Sequence, residues 1–304
     1  MKVFVTGGSG MVGRNVVEYL MGKSVEVLCP TSKEINLLDK EALKIFIQKN
    51  EPEMIIHCAG LVGGIQANIN NSASFLYENT QMGLNIIMSS YESGVKKLIN
   101  MSSSCVYTRN IKNPLGEEFI LKGELEPTNE GYSLAKIIST RFCEYLNREN
   151  NDFDYKTIIP CNLYGRYDTF DLNKSHMIPG VIKKISDAKK NKEKSVIIWG
   201  DGSVRREFMY VEDLADFVWY AIENFERMPQ NINVGLGFDY SINEYYQIIS
   251  NVIGYKGAFV HDFSKPVGMK QKLIDNSKLK DFGWKHKTSL KDGISKSYKF
   301  FLKN

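Results

Sequence analysis

Hydrophobic positions in the first half of the chain alternate between short apolar runs and longer amphipathic stretches. A short apolar run predicts a buried strand, whereas apolar residues spaced three or four apart predict a helix. The predicted strands cover residues 2–6, 25–29, 54–60, 97–101 and 156–160, and the predicted helices cover residues 14–21, 43–49, 74–93 and 132–147. This alternation predicts an α/β fold with a doubly wound parallel sheet of Rossmann type.

The regular alternation ends near Tyr164, where a longer loop, a helix and a strand at residues 196–199 are predicted. A helix that begins at Val211 is expected to return the chain to the main sheet, and the part after Gly237 is mixed and ends in a Lys-rich tail. The pattern therefore predicts a nucleotide-binding lobe and a smaller α/β substrate lobe. The first lobe would contain residues 1–165 and about 211–237, and the second would contain about 166–210 and 238–304.

Three glycines follow the first predicted strand at intervals of three residues. Gly7, Gly10 and Gly13 lie between that strand and the helix from Arg14. In a dinucleotide-binding turn the first glycine permits a tight turn, the second lets the backbone approach a pyrophosphate, and the third lets the helix pack closely. The free N–H groups at the helix N-terminus attract phosphate. The sequence therefore predicts a dinucleotide site here.

The end of the second predicted strand bears on the choice between NAD and NADP. An NAD-dependent protein usually has Asp or Glu there to hold the ribose hydroxyls. This chain has no acidic residue before Glu34, and Ser32 and Lys33 are candidate contacts for a 2′-phosphate. The pattern favours NADP, with NAD as the alternative.

Tyr132 and Lys136 are four residues apart and would share one face of a helix. Such a pair also occurs by chance on many helix surfaces, but a nearby ammonium lowers the pKa of a phenol and lets it exchange protons with an alcohol or ketone. Ser103 at a strand end would hydrogen-bond the same oxygen, and Lys136 would hold the nicotinamide ribose. We therefore predict a carbonyl–alcohol oxidoreductase. Further residues expected at this edge of the sheet are Ala59, Gly60 and Asn162.

Composition argues against several other classes of protein. The 304 residues include 39 basic and 35 acidic side chains, and no dense basic run is interleaved with aromatic residues, so nucleic-acid binding is not expected. The apolar runs are too short to span a membrane. The five cysteines are odd in number and lack CxxC spacing, which predicts reduced thiols, no metal site and a cytoplasmic protein.

Segments along nearly the whole chain carry a family resemblance. They include residues 10–13, 34–39, 62–65, 103–107, 126–130, 162–165, 175–179, 206–208, 232–235 and 254–257. These segments resemble the GDP-L-fucose synthase family of the extended short-chain dehydrogenase/reductases. That family epimerises GDP-4-keto-6-deoxy-D-mannose at C3 and C5 and reduces C4 with NADPH. The resemblance implies NADP(H), a GDP-4-keto-6-deoxy sugar and a role in surface polysaccharide synthesis.

The resemblance also implies roles for individual residues. A ketone at C4 acidifies the hydrogens on C3 and C5, and the resemblance makes Cys105 the base and His176 the acid. A packed small residue is the alternative for Cys105, and a loop or capping residue is the alternative for His176. The other implied substrate contacts are Ser103, Asn162, Met177, Lys184, Trp199, Arg206 and Lys272, of which Lys184, Arg206 and Lys272 would lie near the pyrophosphate. The other implied cofactor contacts are Met11, Val12, Asp39, Pro160, Leu163 and His176.

Some positions depart from the family pattern. Ser9 and Pro30 stand where the family commonly has Arg for the NADP phosphate, and residues 166–169 replace a Pro-His-Asp-Asn loop that is expected to border the sugar pocket. A C4 reductase without epimerase activity on a related GDP-4-keto-6-deoxy-heptose is therefore the alternative. Less favoured alternatives are an NAD-dependent nucleotide-sugar 4-epimerase or dehydratase and an inactive binding protein. In this superfamily the helices at residues 74–93 and 132–147 commonly form a dimer interface, so a homodimer is expected.

Overall fold

The computed structural model describes residues 1–172, 174–264 and 268–304. The strands are β1 (Lys2–Thr6), β2 (Glu26–Leu28), β3 (Met54–His57), β4 (Lys97–Met101), β5 (Asp154–Pro160), β6 (Asn162–Tyr164), β7 (Ser195–Trp199), β8 (Arg205–Arg206), β9 (Phe208–Tyr210), β10 (Asn231–Val234), β11 (Tyr240–Ser241), β12 (Ala258–Asp262) and β13 (Gln271–Lys272). The helices are α1 (Met11–Met21), α2 (Lys40–Asn50), α3 (Ile65–Asn70), α4 (Ser72–Glu92), α5 (Glu130–Glu149), α6 (Met177–Lys190), α7 (Val211–Glu223), α8 (Ile242–Ile253), α9 (Ser277–Phe282) and α10 (Leu290–Phe301).

The central sheet is parallel throughout and has the strand order β10-β5-β4-β3-β1-β2. This order confirms the predicted Rossmann-type α/β fold. Because β2 lies on one side of β1 and β3 lies on the other, the direction in which the sheet is built reverses between β1 and β3. Such a switch point leaves a crevice beyond the carboxyl ends of the strands. The loops that follow β1, β3 and β4 open at that edge.

Apolar side chains alternate along β1 and enter two different cores. Val3 and Val5 belong to the core that also contains Leu20 of α1, whereas Phe4 belongs to the core that contains Ile86 of α4. All five side chains are fully buried. A parallel sheet covered by helices on both faces has strands that are apolar on both sides, which explains why the sequence shows continuous apolar runs.

A separate core packs α6, α8 and α10 against β7 and β9. The Lys-rich end of the chain, predicted as a tail, forms α10, because Ile294 on one face of this helix is fully buried. The helix from Val211 begins where it was predicted, and β10 after it joins the central sheet. Beyond β5 the chain forms β6, which pairs with β9 outside the central sheet. The two-lobe boundaries themselves stay a prediction.

The two longest helices, α4 and α5, contain 21 and 20 residues and pack along each other. A Cβ atom on Gly83 of α4 would lie only 2.2 Å from Oγ of Ser139 on α5, so glycine permits this close approach. The packing places the first turns of α5 next to the end of β4. Within the described ranges, no helix combines the length and the apolar character needed to cross a lipid bilayer.

Candidate active site

The glycine turn after β1 is too crowded for side chains. A Cβ atom on Gly13 would lie 2.2 Å from the carbonyl oxygen of Gly7, and Gly7 has a φ of +73° that favours glycine. The Gly10 N–H donates to the Gly7 carbonyl at 3.0 Å. Gly10 precedes α1 and has no side chain to cap it. The first N–H groups of α1, at Met11 and Val12, therefore suit a phosphate, as predicted for a dinucleotide.

The loop after β3 meets this turn. A Cβ atom on Gly7 would lie 2.6 Å from Cα of Ala59, and the Ala59 N–H donates to Oγ1 of Thr6 at 3.2 Å. A Cβ atom on Gly60 would lie 3.6 Å from Nζ of Lys136. The fold thus brings the predicted residues of β1, β3 and α5 to one edge.

The turn after β2 presents the predicted 2′-phosphate contacts. Ser32 and Lys33 are both exposed there. The turn is closed by Glu34, whose Oε2 accepts from the N–H and the hydroxyl of Thr31 at 2.7 and 2.8 Å, and these bonds lower the pKa of Glu34. Asp39 caps α2 by accepting from the N–H of Ala42 at 3.0 Å, so its carboxylate already has a structural role. The cofactor contacts of Ser32, Lys33 and Asp39 stay predictions.

Tyr132 and Ser103 lie together at the end of β4. The Ser103 hydroxyl hydrogen-bonds the Tyr132 phenol, which lowers its pKa, but burial outweighs this bond and raises the pKa well above its ordinary value. Negative charge on Cys105 raises it further. The prediction that Lys136 lowers the pKa of Tyr132 is therefore wrong for this structure. Nζ of Lys136 lies 5.7 Å from the centre of the Tyr132 ring. Tyr132 carries a proton that it can donate.

Lys136 instead donates to a backbone carbonyl. Its Nζ lies 2.9 Å from the carbonyl oxygen of Met101, the last residue of β4. The side chain is buried, and burial lowers the pKa of Lys136 to about 8, while Cys58 and Cys105 act in the opposite direction. The ammonium is therefore fixed at the strand end beside the Gly60 loop.

The Cys105 sulfur has two hydrogen-bond donors. Nδ2 of Asn129 lies 3.1 Å from Sγ, and Nζ of Lys272 lies 3.7 Å from Sγ. The Cys105 N–H donates to Oγ of Ser103 at 3.3 Å, which fixes the short turn after β4. Asn129 was not predicted as a site residue, although it belongs to the segment 126–130 that carries part of the family resemblance. Both donors approach the same sulfur atom.

Lys272 and Arg206 are neighbours on two short parallel strands. β13 pairs with β8 so that Lys272 lies opposite Arg206. Burial lowers the pKa of Arg206, whereas negative charge on Glu126 and Cys105 acts against this shift. The family resemblance implied that both cations contact a pyrophosphate. The structure brings Lys272 to the Cys105 sulfur, so its pyrophosphate contact stays a prediction while its contact with Cys105 is observed.

Helix α6 carries the other predicted substrate residues. His176 precedes the helix and is half-buried, and burial lowers its pKa. Met177 and Lys184 are two turns apart on one face of α6. Nζ of Lys184 lies 5.3 Å from the ring centre of Trp199, and burial lowers the pKa of this lysine. The helix therefore carries the predicted substrate residues Met177 and Lys184 on one face.

Asn162 is held by Glu207, a residue that sequence reasoning missed. Nδ2 of Asn162 donates to the Glu207 carbonyl at 2.8 Å. The Glu207 carboxylate is buried, which raises its pKa to about 7. It accepts from the N–H groups of Leu236 at 2.5 Å, Gly237 at 2.9 Å and Ile274 at 3.1 Å. Glu207 therefore connects its own segment with the loop that contains Leu236 and Gly237 and with the segment that contains Ile274. The one signal for it in the sequence was its place in the family-like segment 206–208.

Two other predicted cofactor residues lie close to Asn162 in the chain, Pro160 at the end of β5 and Leu163 in β6. Pro160 is a buried residue at the end of β5, and Leu163 packs against the core that covers one face of the central sheet. Both are placed by packing, and their contact with a cofactor stays a prediction.

The loop at residues 166–169 contacts α1 and α7 through two of its side chains. Arg166 forms ion pairs with Glu18 of α1 at 3.1 Å and with Glu212 of α7 at 2.7 Å. The Tyr167 hydroxyl donates to Glu18 at 2.6 Å. These contacts hold Arg166 and Tyr167 against α1 and α7, and the position of the loop beside the sugar pocket stays a prediction. Asp168 is half-buried, and burial raises its pKa to about 7.

The chain is similar to known proteins along nearly its whole length. The model of the NAD dependent epimerase/dehydratase family matches residues 3–235. A GDP-L-colitose synthase of Yersinia pseudotuberculosis is 56% identical over 302 residues, which cover 99% of this chain and 98% of that protein. A GDP-L-fucose synthase of Azorhizobium caulinodans is 46% identical over 301 residues, which cover 99% of this chain and 96% of that protein. A solved structure of a GDP-mannoheptose C4 reductase from Campylobacter jejuni with NADP bound superposes with a TM-score of 0.88 and 33% identity, covering 99% and 98% of the two chains.

Proposed function

We propose, on the premise that the chain belongs to the NAD dependent epimerase/dehydratase family, that it reduces the C4 ketone of a GDP-4-keto-6-deoxy sugar with NADPH. We include epimerisation at the carbons beside the ketone and a role in supplying nucleotide sugars for surface polysaccharides. The observation that carries the proposal is the meeting of Ser103, Tyr132 and Lys136 at the end of β4, beside the glycine turn. Relatives named GDP-L-fucose and GDP-L-colitose synthase support the GDP-sugar class.

In the reduction, NADPH would supply the hydride to C4. The protonated Tyr132 would donate its proton to the C4 oxygen, and the Ser103 hydroxyl would hydrogen-bond the same oxygen as negative charge develops. Lys136, fixed by the Met101 carbonyl, would hold the nicotinamide ribose. The crowded glycine turn and the first N–H groups of α1 fit a pyrophosphate.

In the epimerisation, the C4 ketone acidifies the neighbouring C–H bonds. Cys105 would take a proton from one face and His176 would donate its N–H proton from the other, which inverts the carbon. Both residues contribute from different parts of the fold, Cys105 after β4 and His176 before α6.

The two predicted lobes would divide the work. Residues 1–165 and about 211–237 would bind NADP(H), and about 166–210 and 238–304 would bind the GDP-sugar. Lys184 and Arg206 supply positive charge for the pyrophosphate, and Trp199 supplies an aromatic face for the nucleotide end.

The proposed assembly is a homodimer in the cytoplasm. The apolar side chains of Tyr77 on α4 and of Ile138 and Tyr145 on α5 are exposed in the single chain, and pairing of these helices with a second copy would cover them. The five cysteines form no disulfide in the described residues, which fits a reducing compartment. Sedimentation of Tyr145→Asp against wild type tests the interface, and an unchanged dimer would place it elsewhere.

The proposed activity can be tested with purified protein, NADPH and GDP-4-keto-6-deoxy-mannose in heavy water. Consumption of NADPH together with deuterium at the carbons beside C4, seen by NMR of the product, would support the combined activity. Consumption without deuterium would reduce the proposal to a C4 reductase. No consumption with any GDP-4-keto-6-deoxy sugar would reject it.

The second candidate is a C4 reductase of a GDP-4-keto-6-deoxy-heptose without epimerisation. It is favoured by the similarity to the GDP-mannoheptose C4 reductase. The same assay with the heptose substrate decides between them, since the candidates differ in which sugar gives the higher kcat/KM and in whether deuterium enters the product.

A further inference from the structure

We propose that Lys272 and Asn129 are positioning residues that hold the Cys105 sulfur as a thiolate, ready to take a proton from the carbon beside the substrate ketone. The identity of that carbon acid rests on the proposed function, whereas the state of the sulfur does not. Lys272 would then act on Cys105 at the sugar end of the site.

Lys272 and Asn129 both donate hydrogen bonds to the Cys105 sulfur. Lys272 has only N–H donors and no acceptor, so its approach to Sγ at 3.7 Å uses a sulfur lone pair. Asn129 approaches the same sulfur through Nδ2 at 3.1 Å. A thiolate has lone pairs for both donors and no proton that competes with them. Two donors on one sulfur therefore favour its anionic form.

Lys272 is buried on a strand that is held in place from two sides. The lysine side chain is 8% exposed, and its strand β13 is held on both sides. On one side it pairs with β8. On the other side, the N–H of Leu115 donates to the Leu273 carbonyl at 2.8 Å, and the N–H of Leu273 donates to Oδ1 of Asn113 at 2.8 Å. Glu207 also accepts from Ile274, two residues beyond Lys272. The ammonium is therefore fixed before any substrate binds.

The other charged or titratable groups that face Cys105 come from two further elements. α5 contributes Tyr132 and Lys136, and β8 contributes Arg206, and each of them interacts electrostatically with the sulfur. Two of these three groups are cations, so they act in the same direction as Lys272. The charged atom of Lys272 lies within hydrogen-bond distance of Sγ.

The proton transfer balances without any further reactant. The C–H bond beside the ketone breaks, the S–H bond of Cys105 forms, and the electron pair moves to the ketone oxygen as an enolate held by Ser103 and Tyr132. An acid on the opposite face, which we assign to His176, then protonates the carbon. Exchange of the Cys105 thiol and of His176 with solvent restores both groups.

The state of the sulfur can be tested without substrate. Alkylation of Cys105 by iodoacetamide, followed by mass spectrometry of its peptide from pH 5.5 to 9.5 (roughly the range over which thiols titrate), reports the thiolate fraction. We expect Lys272→Met to slow alkylation at pH 7 by about tenfold and to move the profile to higher pH. Lys272→Arg should restore most of the rate, and Asn129→Ala should lose about threefold.

Lys270→Met is the matched control, because Lys270 is an exposed lysine two residues away and its loss removes the same net charge. It should alkylate like wild type. Cys58 in the same protein is an internal reference, since burial raises its pKa to about 12. Identical profiles for folded Lys272→Met and wild type would overturn the proposal. If Lys272→Met fails to fold, an unchanged profile for Asn129→Ala would overturn it.

The catalytic consequence has a separate readout. In heavy water, Lys272→Met should lower deuterium entry beside C4 about tenfold, and Lys270→Met should not. Lys272-dependent alkylation in a protein that reduces no GDP-sugar would reject the proposed function and leave the inference about Cys105 standing.

Discussion

Two buried lysines, Lys136 and Lys272, both interact with Cys105 and are held in different ways. Lys136 belongs to the long helix α5 and donates to the carbonyl of Met101 in the central sheet. Lys272 belongs to a two-residue strand and donates to the Cys105 sulfur, 167 residues away in the chain. The first lysine is anchored by backbone of the central sheet, and the second by loops that converge from several parts of the chain.

This difference separates the two halves of the proposed chemistry. The reducing half uses Ser103, Tyr132 and Lys136, which follow from one strand end and one helix. The proton-exchange half uses Cys105 with Lys272, and it exists only when β13 is docked. We therefore expect changes on the Lys136 side to affect reduction and changes around β13 to affect proton exchange and stability.

The largest effect is expected from Tyr132→Phe. Loss of the phenolic proton should lower the rate of NADPH oxidation by about 10²–10⁴-fold, because the C4 oxygen loses its proton donor. Deuterium exchange beside the ketone should fall far less, since Cys105 remains. Both rates can be measured in heavy water by absorbance and NMR, with NADP(H) affinity as the control for an intact cofactor site. Equal losses in both rates would mean that the two halves are not separable.

The next effect concerns Lys136 and pH. Burial lowers its pKa from 10.5 to about 8, so between these values the unfolded chain holds the Lys136 proton and the folded chain does not. The free energy of unfolding attributable to this group should therefore rise with pH, by up to about 3 kcal/mol. The difference between wild type and Lys136→Met in urea unfolding should show this rise. Parallel pH profiles for the two proteins would contradict it.

A smaller effect is expected from Glu207→Gln. One carboxylate oxygen of Glu207 accepts from the N–H groups of Leu236 and Gly237, and the other accepts from the N–H of Ile274. In the glutamine variant, the NH2 group would replace one of these acceptors and face a backbone N–H. The change should cost about 1–3 kcal/mol in the free energy of unfolding and raise the KM for the GDP-sugar. Glu223→Gln, at the exposed end of α7, is the matched control. An equal loss in both variants would remove the special role of Glu207.

The smallest effect is expected from Arg166→Met. Its partly exposed pairs with Glu18 and Glu212 should contribute less than about 1 kcal/mol to the free energy of unfolding. The ratio of kcat/KM between two GDP-4-keto sugars should not change, because the side chain points to α1 and α7. A changed ratio would indicate that Arg166 affects the sugar pocket.

The strand and helix pattern was predicted closely where local periodicity is strong. The predicted strand at residues 97–101 coincides with β4, and the predicted helix at residues 132–147 lies within α5. The Rossmann-type fold and the resemblance to the GDP-L-fucose synthase family are both confirmed. These features depend on short-range spacing and on residue types, which any single sequence displays.

The tertiary structure decided the rest, because the remaining features depend on groups distant in sequence and on burial. The sequence alone determined the glycine turn and the Tyr132–Lys136 pair, which lie within one turn or one helix. It could not show that Lys136 donates to Met101, that burial raises the pKa of Tyr132, or that Arg166 faces α1. Nor could it bring Lys272 to Cys105, since a contact across 167 residues is set by how β8 and β13 dock. Local spacing fixes which side chains share a face, whereas solvent exclusion and long-range docking fix their charge and their partners.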